Sequence, residues 1–198
     1  MKLSKSLIAI IVLVVIGLGL FMWGKSGYND LVNKQESVSS QWAQVQNAYQ
    51  RRSELIPNLV ATVKGYAAHE QSTFTAVVEA RAKATQAQLS VDDLSEENIQ
   101  KFQQAQGQLS TALGRLLMIT ENYPELKANQ NFMALQDELT GTENRIATER
   151  NKFNVRVQEY NTSIRMFPRN IFASIFGFSK KGYFEADPAA QTAPQVQF

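Results

Sequence analysis

The side chains that invite a chemical reading fall into three groups. They are the pair Arg51-Arg52 ahead of Pro57, the imidazole His69 beside Glu70, and charges and amides spread over 143–161. A single histidine cannot build a His-rich metal site, and Glu70 alone adds too few ligands. The absence of cysteine removes disulfides, thiolate nucleophiles and Cys-based zinc sites together. No nucleophile elbow, paired-ligand spacing or Asp-rich metal loop appears, so no catalytic residue, metal or cofactor is expected and the chain does not read as an enzyme.

Arginine forks bind carboxylates or phosphates bidentately. Placed before a helix corner, Arg51 and Arg52 would grip either a lipid phosphate or a carboxylate on a returning helix. Glu54 and Glu70 are the carboxylates nearest to that corner, and an interhelical ion pair is the favoured reading. Among Glu143, Arg145, Glu149 and Arg150, the Arg145–Glu149 spacing is that of an i,i+4 pair supporting one helix. Asn151, Asn154 and Asn161 lower helix propensity, and amides at a helix seam fix register more often than they bind a ligand.

These residues must be positioned by helices. The chain has 198 residues and a net charge of +2, without any run of Lys or Arg able to track a nucleic-acid backbone. Residues 7–23 carry no charge and no strongly polar side chain. Seventeen such residues are enough for a membrane span, since about 17–25 cross a hydrocarbon core. Trp23 stands where an interfacial aromatic belt would place it. The competing reading is a cleaved signal ending at Gly24-Lys25-Ser26, but the apolar run is longer than a usual signal core and no Ala-x-Ala follows. Lys2 and Lys5 before the span nearly balance Lys25 and Lys34 after it, and a deformylated initiator amine tips the expectation to an exported domain.

After the span, Leu31, Val38, Trp42, Val45, Tyr49 and Ile56 keep helical spacing. Gly24 and Gly27 permit either a continuous rod or a joint at the membrane surface. Pro57 predicts a break with reversal, so that Arg51, Arg52, Pro57 and Asn58 form a structural corner; a kink in a longer helix is the alternative. A second helix then carries Leu59 to Ala84, with Glu70 and Arg81 in or beside its apolar stripe. Residues 85–95 read as the loosest connection, and Ser95 with Glu96 and Glu97 as a helix start. The third helix runs from Ile99 towards Tyr123-Pro124, and the fourth from Phe132 to Ile164 with Pro168 beyond it. The expected architecture is all-α: a short flank at 1–6, a transmembrane helix at 7–23, an antiparallel bundle of long helices at 28–167, an aromatic amphipathic segment at 168–184 and a disordered tail at 185–198.

Phe167, Ile171, Phe172, Ile175, Phe176 and Phe178 place six large apolar residues in a short stretch, more than one bundle face requires. With Lys180 and Lys181 following, the stretch suits a membrane interface or a neighbouring subunit; the alternative is a cap folded over the bundle end. The lipid bilayer is therefore an expected partner. Parallel anchoring in one membrane raises effective concentration and makes a homo-oligomer, or recruitment of another protein, the expected behaviour.

The run from Arg51 through Leu55-Ile56-Pro57-Asn58-Leu59 to Gly65-Tyr66-Ala67 and His69-Glu70 resembles the LemA family. The similarity continues through Ala80-Arg81, Glu121-Asn122-Tyr123-Pro124-Glu125-Leu126-Lys127-Ala128-Asn129, Phe132, Glu143-Asn144-Arg145-Ile146-Ala147, Phe153-Asn154, Tyr160-Asn161 and Phe167-Pro168. It covers the chain from Tyr28 to Phe184. The resemblance implies a bacterial single-pass protein of the inner membrane with a helical domain, and it brings no enzyme activity with it.

Overall fold

The computed structural model describes residues 5–185, with side chains described from Ile10 onward. Most of the expected flank at 1–6 and all of the expected tail after Glu185 lie outside these residues. The described fold is all-α: α1 Lys5–Lys64, α2 Gln71–Gln86, α3 Glu96–Ile119, α4 Pro124–Lys127, α5 Gln130–Arg165 and α6 Arg169–Ile175. No strand occurs among the described residues. Successive ties from Asp30 to Ser163, Gln41 to Glu149 and Arg52 to Glu143 run in opposite directions along the two chains, so α1 and α5 are antiparallel. The α2–α3 hairpin packs across this pair.

α1 is a single helix of 60 residues. At 1.5 Å per residue it is about 90 Å long. Its N-terminal part is the one helix among the described residues long and apolar enough to cross a membrane, and none of that stretch is buried against the domain. The helix does not break at Gly24 or Gly27. The Phe172 ring from α6 covers both glycines, and a Cβ on Gly24 would stand 3.4 Å from Phe172 Cε1. Trp23 meets the same ring edge to face at 5.4 Å. Cleavage at Gly24–Ser26 would thus remove part of the surface on which α6 rests.

The expected corner at Arg51, Arg52, Pro57 and Asn58 is not there. Pro57 lies inside α1, and the reversal comes at 65–70, after Lys64. Proline lacks the N–H that would close the bond to the carbonyl four residues back, here that of Ser53. Arg81 on α2 supplies the missing donor, its Nε standing 2.9 Å from the Ser53 oxygen. The freed carbonyl becomes an interhelical tie, and the helix continues. Leu59 and Val63, expected on the second helix, are consequently buried residues of α1.

The connection expected to be loosest is tied at several points. The indole N–H of Trp42 and the Gln46 amide both donate to the Leu89 carbonyl, at 3.2 and 3.0 Å. Leu94 is fully buried, and the Ser95 hydroxyl caps α3 by accepting from the Asn98 N–H. Asn129 caps α5 in the same way, through the Phe132 N–H.

Beyond α6 the chain leaves helix and returns along the bundle as an extended strap. Gly177 adopts φ 75°, and the Phe178 N–H returns to the Ala173 carbonyl at 2.9 Å, a left-handed helix stop that favours glycine. The strap is held by side-chain amides that both give and take. Asn161 accepts from the Lys181 N–H at 2.9 Å and donates to its carbonyl at 2.8 Å; Asn154 does the same for Phe184 at 2.9 and 2.8 Å. Gln103 on α3 pairs likewise with Glu185. Seven helical residues and three extended ones both cover about 10 Å, so amides seven apart on α5 meet strap residues three apart. Gly182 passes so close to α3 that a Cβ would fall 2.6 Å from the Glu96 Cα. Only glycine fits there.

The core has two halves. The membrane-proximal half centres on Trp42 with Phe102, Phe153 and Phe184, and the distal half on Ile56, Leu59, Val77, Leu113 and Phe132.

Replacing Pro57 by Ala restores the helical donor. The expected result is a gain of about 1–2 kcal/mol, less than the roughly 3 kcal/mol of an uncompensated interior proline because Arg81 already satisfies Ser53. Thermal unfolding of the full-length protein in nanodiscs measures it, and Arg81→Met should then cost less when combined with Pro57→Ala than in the parent.

Candidate functional site

Between the core halves lies a polar layer centred on Arg52, whose side chain is 2% exposed. Its Nη1 donates at 2.9 Å to Glu143 on α5 and at 2.9 Å to the Ser110 hydroxyl on α3. Its Nη2 donates to the side-chain oxygen of Gln106 on α3. The Gln106 amide passes the connection on to the Ala84 carbonyl of α2 at 3.2 Å. One chain of hydrogen bonds therefore touches all four long helices. The Tyr49 ring lies 5.1 Å from the guanidinium carbon, a cation–π contact from below, and burial pushes the phenol's pKa up. Nε finds no acceptor among the described residues.

Arg51 points the other way and pairs with Glu138 on α5 at the surface. Of the two carboxylates expected nearby, Glu54 stands 4.0 Å from Arg51 on the same helix and Glu70 meets neither arginine; both arginines reach α5 because α1 passes straight alongside it. This geometry makes an ion pair and a packing layer. A cleft of about 450 Å³, lined by Arg52, Tyr49, Ser110, Glu143 and Arg150 among others, opens beside the layer, while the guanidinium itself is spent on hydrogen bonds within the bundle.

The remaining polar candidates are dispersed. His69 is exposed in the turn at the far end of α1, and no group of three metal-ligating side chains occurs among the described residues. Glu149 takes hydrogen bonds from Gln41 at 2.7 Å and Lys152 at 3.0 Å, which hold its carboxyl below the usual range. Arg145, its expected i,i+4 partner, acts on it only through longer-range charge. Asn151 is exposed, whereas Asn154 and Asn161 clamp the strap. The amides do not lie between bundle helices. Lys181 is buried as well, its ammonium donating to the Val91 carbonyl at 3.2 Å, and Lys180 reaches Glu96 at 3.8 Å. Lys181 is thus withdrawn from the surface, whereas Lys180 stays exposed.

The aromatic segment is split by α6 into an inner and an outer face. Phe172 and Phe178 are half-buried against the proximal core. Phe167, Ile171, Ile175 and Phe176 are exposed, Phe167 at 81% and Ile175 at 70%. Tyr28 meets Phe176 at 4.9 Å and Phe178 at 5.8 Å, and Arg169 on α6 pairs with Asp30 on α1 at 3.0 Å. The outer face thus forms an apolar collar beside Trp23, where the span meets the domain. This collar is the surface least explained by the fold itself. The strap that positions it left no periodic signal in the sequence; the seven-residue separation of Asn154 and Asn161 was the one available hint.

A family model described as the LemA family matches residues 41–198, most of the chain. The chain belongs to the LemA family. This LemA-family protein is 29% identical over 182 residues to magnetosome protein MamQ 2 of Paramagnetospirillum magneticum (strain ATCC 700264 / AMB-1), covering 83% of the chain and 67% of that relative. MamQ of Magnetospirillum gryphiswaldense is 29% identical over 189 residues, covering 85% and 70%. Protein LemA of Metamycoplasma hominis is 23% identical over 173 residues, covering 87% and 75%. The family assignment and the unburied apolar helix together make this a membrane protein.

The polar ties can be ranked by substitution. Arg52→Ala should cost about 3–5 kcal/mol, because it strands buried partners, while Arg52→Lys should still cost about 1.5–3 kcal/mol, since one ammonium cannot replace a fork reaching two helices. Glu143→Gln should cost no more than about 1 kcal/mol, its carboxylate being half open to water. Denaturant unfolding followed by helicity orders the three variants.

Burial lowers the Lys181 pKa, against the charges of Asp92 and Asp93. The unfolded chain therefore holds the extra proton between the folded pKa and about 10.5, and stability should rise with pH across that window. Burial raises Tyr49 and Tyr160, which work in the opposite direction once unfolded tyrosines ionise above about 10. Comparing Lys181→Met with the parent cancels the tyrosines: the variant should lack the rise. A parallel pH profile in both proteins would count against a buried ammonium.

Proposed function

We propose that this protein is a non-enzymatic, membrane-anchored scaffold of the bacterial envelope, which holds its helical domain upright from the inner membrane and self-associates or recruits a protein partner. The observation that carries the reading is the continuity of α1, which is membrane span and bundle helix at once, braced by α6 on its two juxtamembrane glycines. A flexible tether would leave the domain free to tumble, whereas this arrangement presents the same face at the same height in every copy. Copies confined to one membrane meet at high effective concentration, and the outer collar of Phe167, Ile171, Ile175 and Phe176 offers a contact beside the span. Relatives with magnetosome protein names carry no enzyme name, which supports a structural role. The marginal charge balance around the span favours a domain on the periplasmic or extracellular side.

A second reading has a specific observation in its favour. The collar lies beside the end of the span, next to Trp23, where an interfacial aromatic belt is expected, which supports lipid contact by the aromatic segment and a role in shaping the membrane.

Single-particle imaging of full-length protein in nanodiscs, with crosslinking in intact cells, tests the scaffold. The expected outcome is a defined oligomer or a captured partner, lost when Phe167 and Ile175 are both changed to Ser. A chain that stays monomeric and crosslinks to nothing refutes the scaffold and leaves the lipid reading.

A further inference from the structure

α6 touches α1 along a narrow line, the Phe172 ring lying over Gly24 and Gly27. On one side of this line a cleft of about 410 Å³ opens between the two helices. Its lower wall is Leu20 and Phe21, within the span; Phe172 forms its side, and the Tyr28–Phe176 pair closes the upper end. Lys25 stands at the rim, exposed and one turn from both Phe21 and Tyr28 on the same face of α1. From Leu20 to Tyr28 the cleft follows α1 for about 12 Å.

The cleft therefore begins inside the hydrocarbon layer and ends at the polar interface. Its walls are apolar apart from the lysine, so filling it with water would keep several aromatic faces hydrated. The bilayer is continuous with its lower end and supplies acyl chains without any further step. A second copy's span fits less well. Helices in membranes approach closely through small residues, and the small residues at the level of the cleft, Gly24 and Gly27, already lie under Phe172, the open Gly17 standing a turn below it. A helix is also about 10 Å across with side chains, wider than a slot bounded by a ring in contact with α1. At the rim an ammonium favours an anionic headgroup.

The geometry points to a lipid site: the α1–α6 cleft holds one acyl chain of an anionic phospholipid, with the lipid phosphate at Lys25. This rests on the anchoring of residues 7–23 proposed above, and it is narrower than collar contact with bulk lipid. The site makes the lipid part of the brace, filling the space between span and α6 that the protein leaves open.

The test uses full-length protein reconstituted in nanodiscs of equal phosphatidylglycerol and phosphatidylcholine, released into mild detergent and weighed by native mass spectrometry. The expected result is one retained phospholipid per chain, phosphatidylglycerol over phosphatidylcholine by several-fold. Leu20→Trp, which fills the cleft from a lipid-facing position, should abolish retention. Lys25→Gln should keep a lipid but bring the two headgroups near parity. Val78→Ala, exposed on α2 and outside both the cleft and the collar, should change neither. Loss of all lipid from the parent while the chain resists alkaline extraction overturns the site but leaves the anchor. Release of the chain by alkaline extraction overturns the anchor itself. Because the chain contains no cysteine, Leu20→Cys gives a unique probe. High-yield disulfide dimers in oxidised membranes would show that a second span occupies the cleft, and would also overturn the site.

Discussion

A guanidinium taken out of water inside a helical bundle has to be answered by every helix around it, and that requirement organises this domain. Arg52 reaches Glu143, Ser110 and Gln106, and Gln106 reaches the Ala84 carbonyl, so α1, α2, α3 and α5 are each fixed against the same point. Shifting any one helix by a turn, about 5.4 Å, breaks the chain of bonds, whereas the apolar contacts above and below would tolerate a slide more cheaply. Desolvation offsets much of the attraction in a buried ion pair, so stability alone is a weak reason for its presence. Register is the stronger reason. The layer stands between two apolar core halves that specify no alignment to one another by themselves.

The same logic governs Pro57. Its missing donor would weaken α1 one turn from the Arg52 layer, and the carbonyl it frees at Ser53 is taken by Arg81. The two arginines, Arg52 leaving α1 and Arg81 entering it, therefore lock α2 and α1 from both sides within a few residues. The helix defect and the buried cation belong to one piece of construction.

This explains which parts of the fold were legible in the sequence. Stripes at three-four spacing, such as Leu31 to Ile56 on α1 and Ile99 to Leu116 on α3, report burial directly, and the Ser95 cap needs only its own neighbours. Pro57 misleads because the remedy for the Ser53 carbonyl lies 28 residues away on another helix, where no local pattern records it. The 85–95 connection reads as loose because its polar composition hides the fact that Trp42 and Gln46 bind its backbone. The strap is harder still. Lys181 to Glu185 show no period, and their partners are amides whose seven-residue spacing on α5 becomes meaningful only beside an extended chain. In the candidate surface, composition marked the six apolar residues but could not divide Phe172 and Phe178 from the four that face outward.

That division comes from mechanics. α6 is short, and seven residues cannot hold an orientation by their own packing. It is held at one end by α5, which delivers it beyond Pro168, and at the other by the strap, which the amide clamps fasten along the bundle as far as Glu185. Suspended between two fixed ends, α6 presses Phe172 onto the glycines of α1, and its remaining apolar side chains have nowhere to turn but outward, beside the span. The clamps are distant from the membrane surface, yet they determine what that surface displays. A strap residue with no contact to the collar, Gly182 above all, is for this reason part of the same device as Phe176.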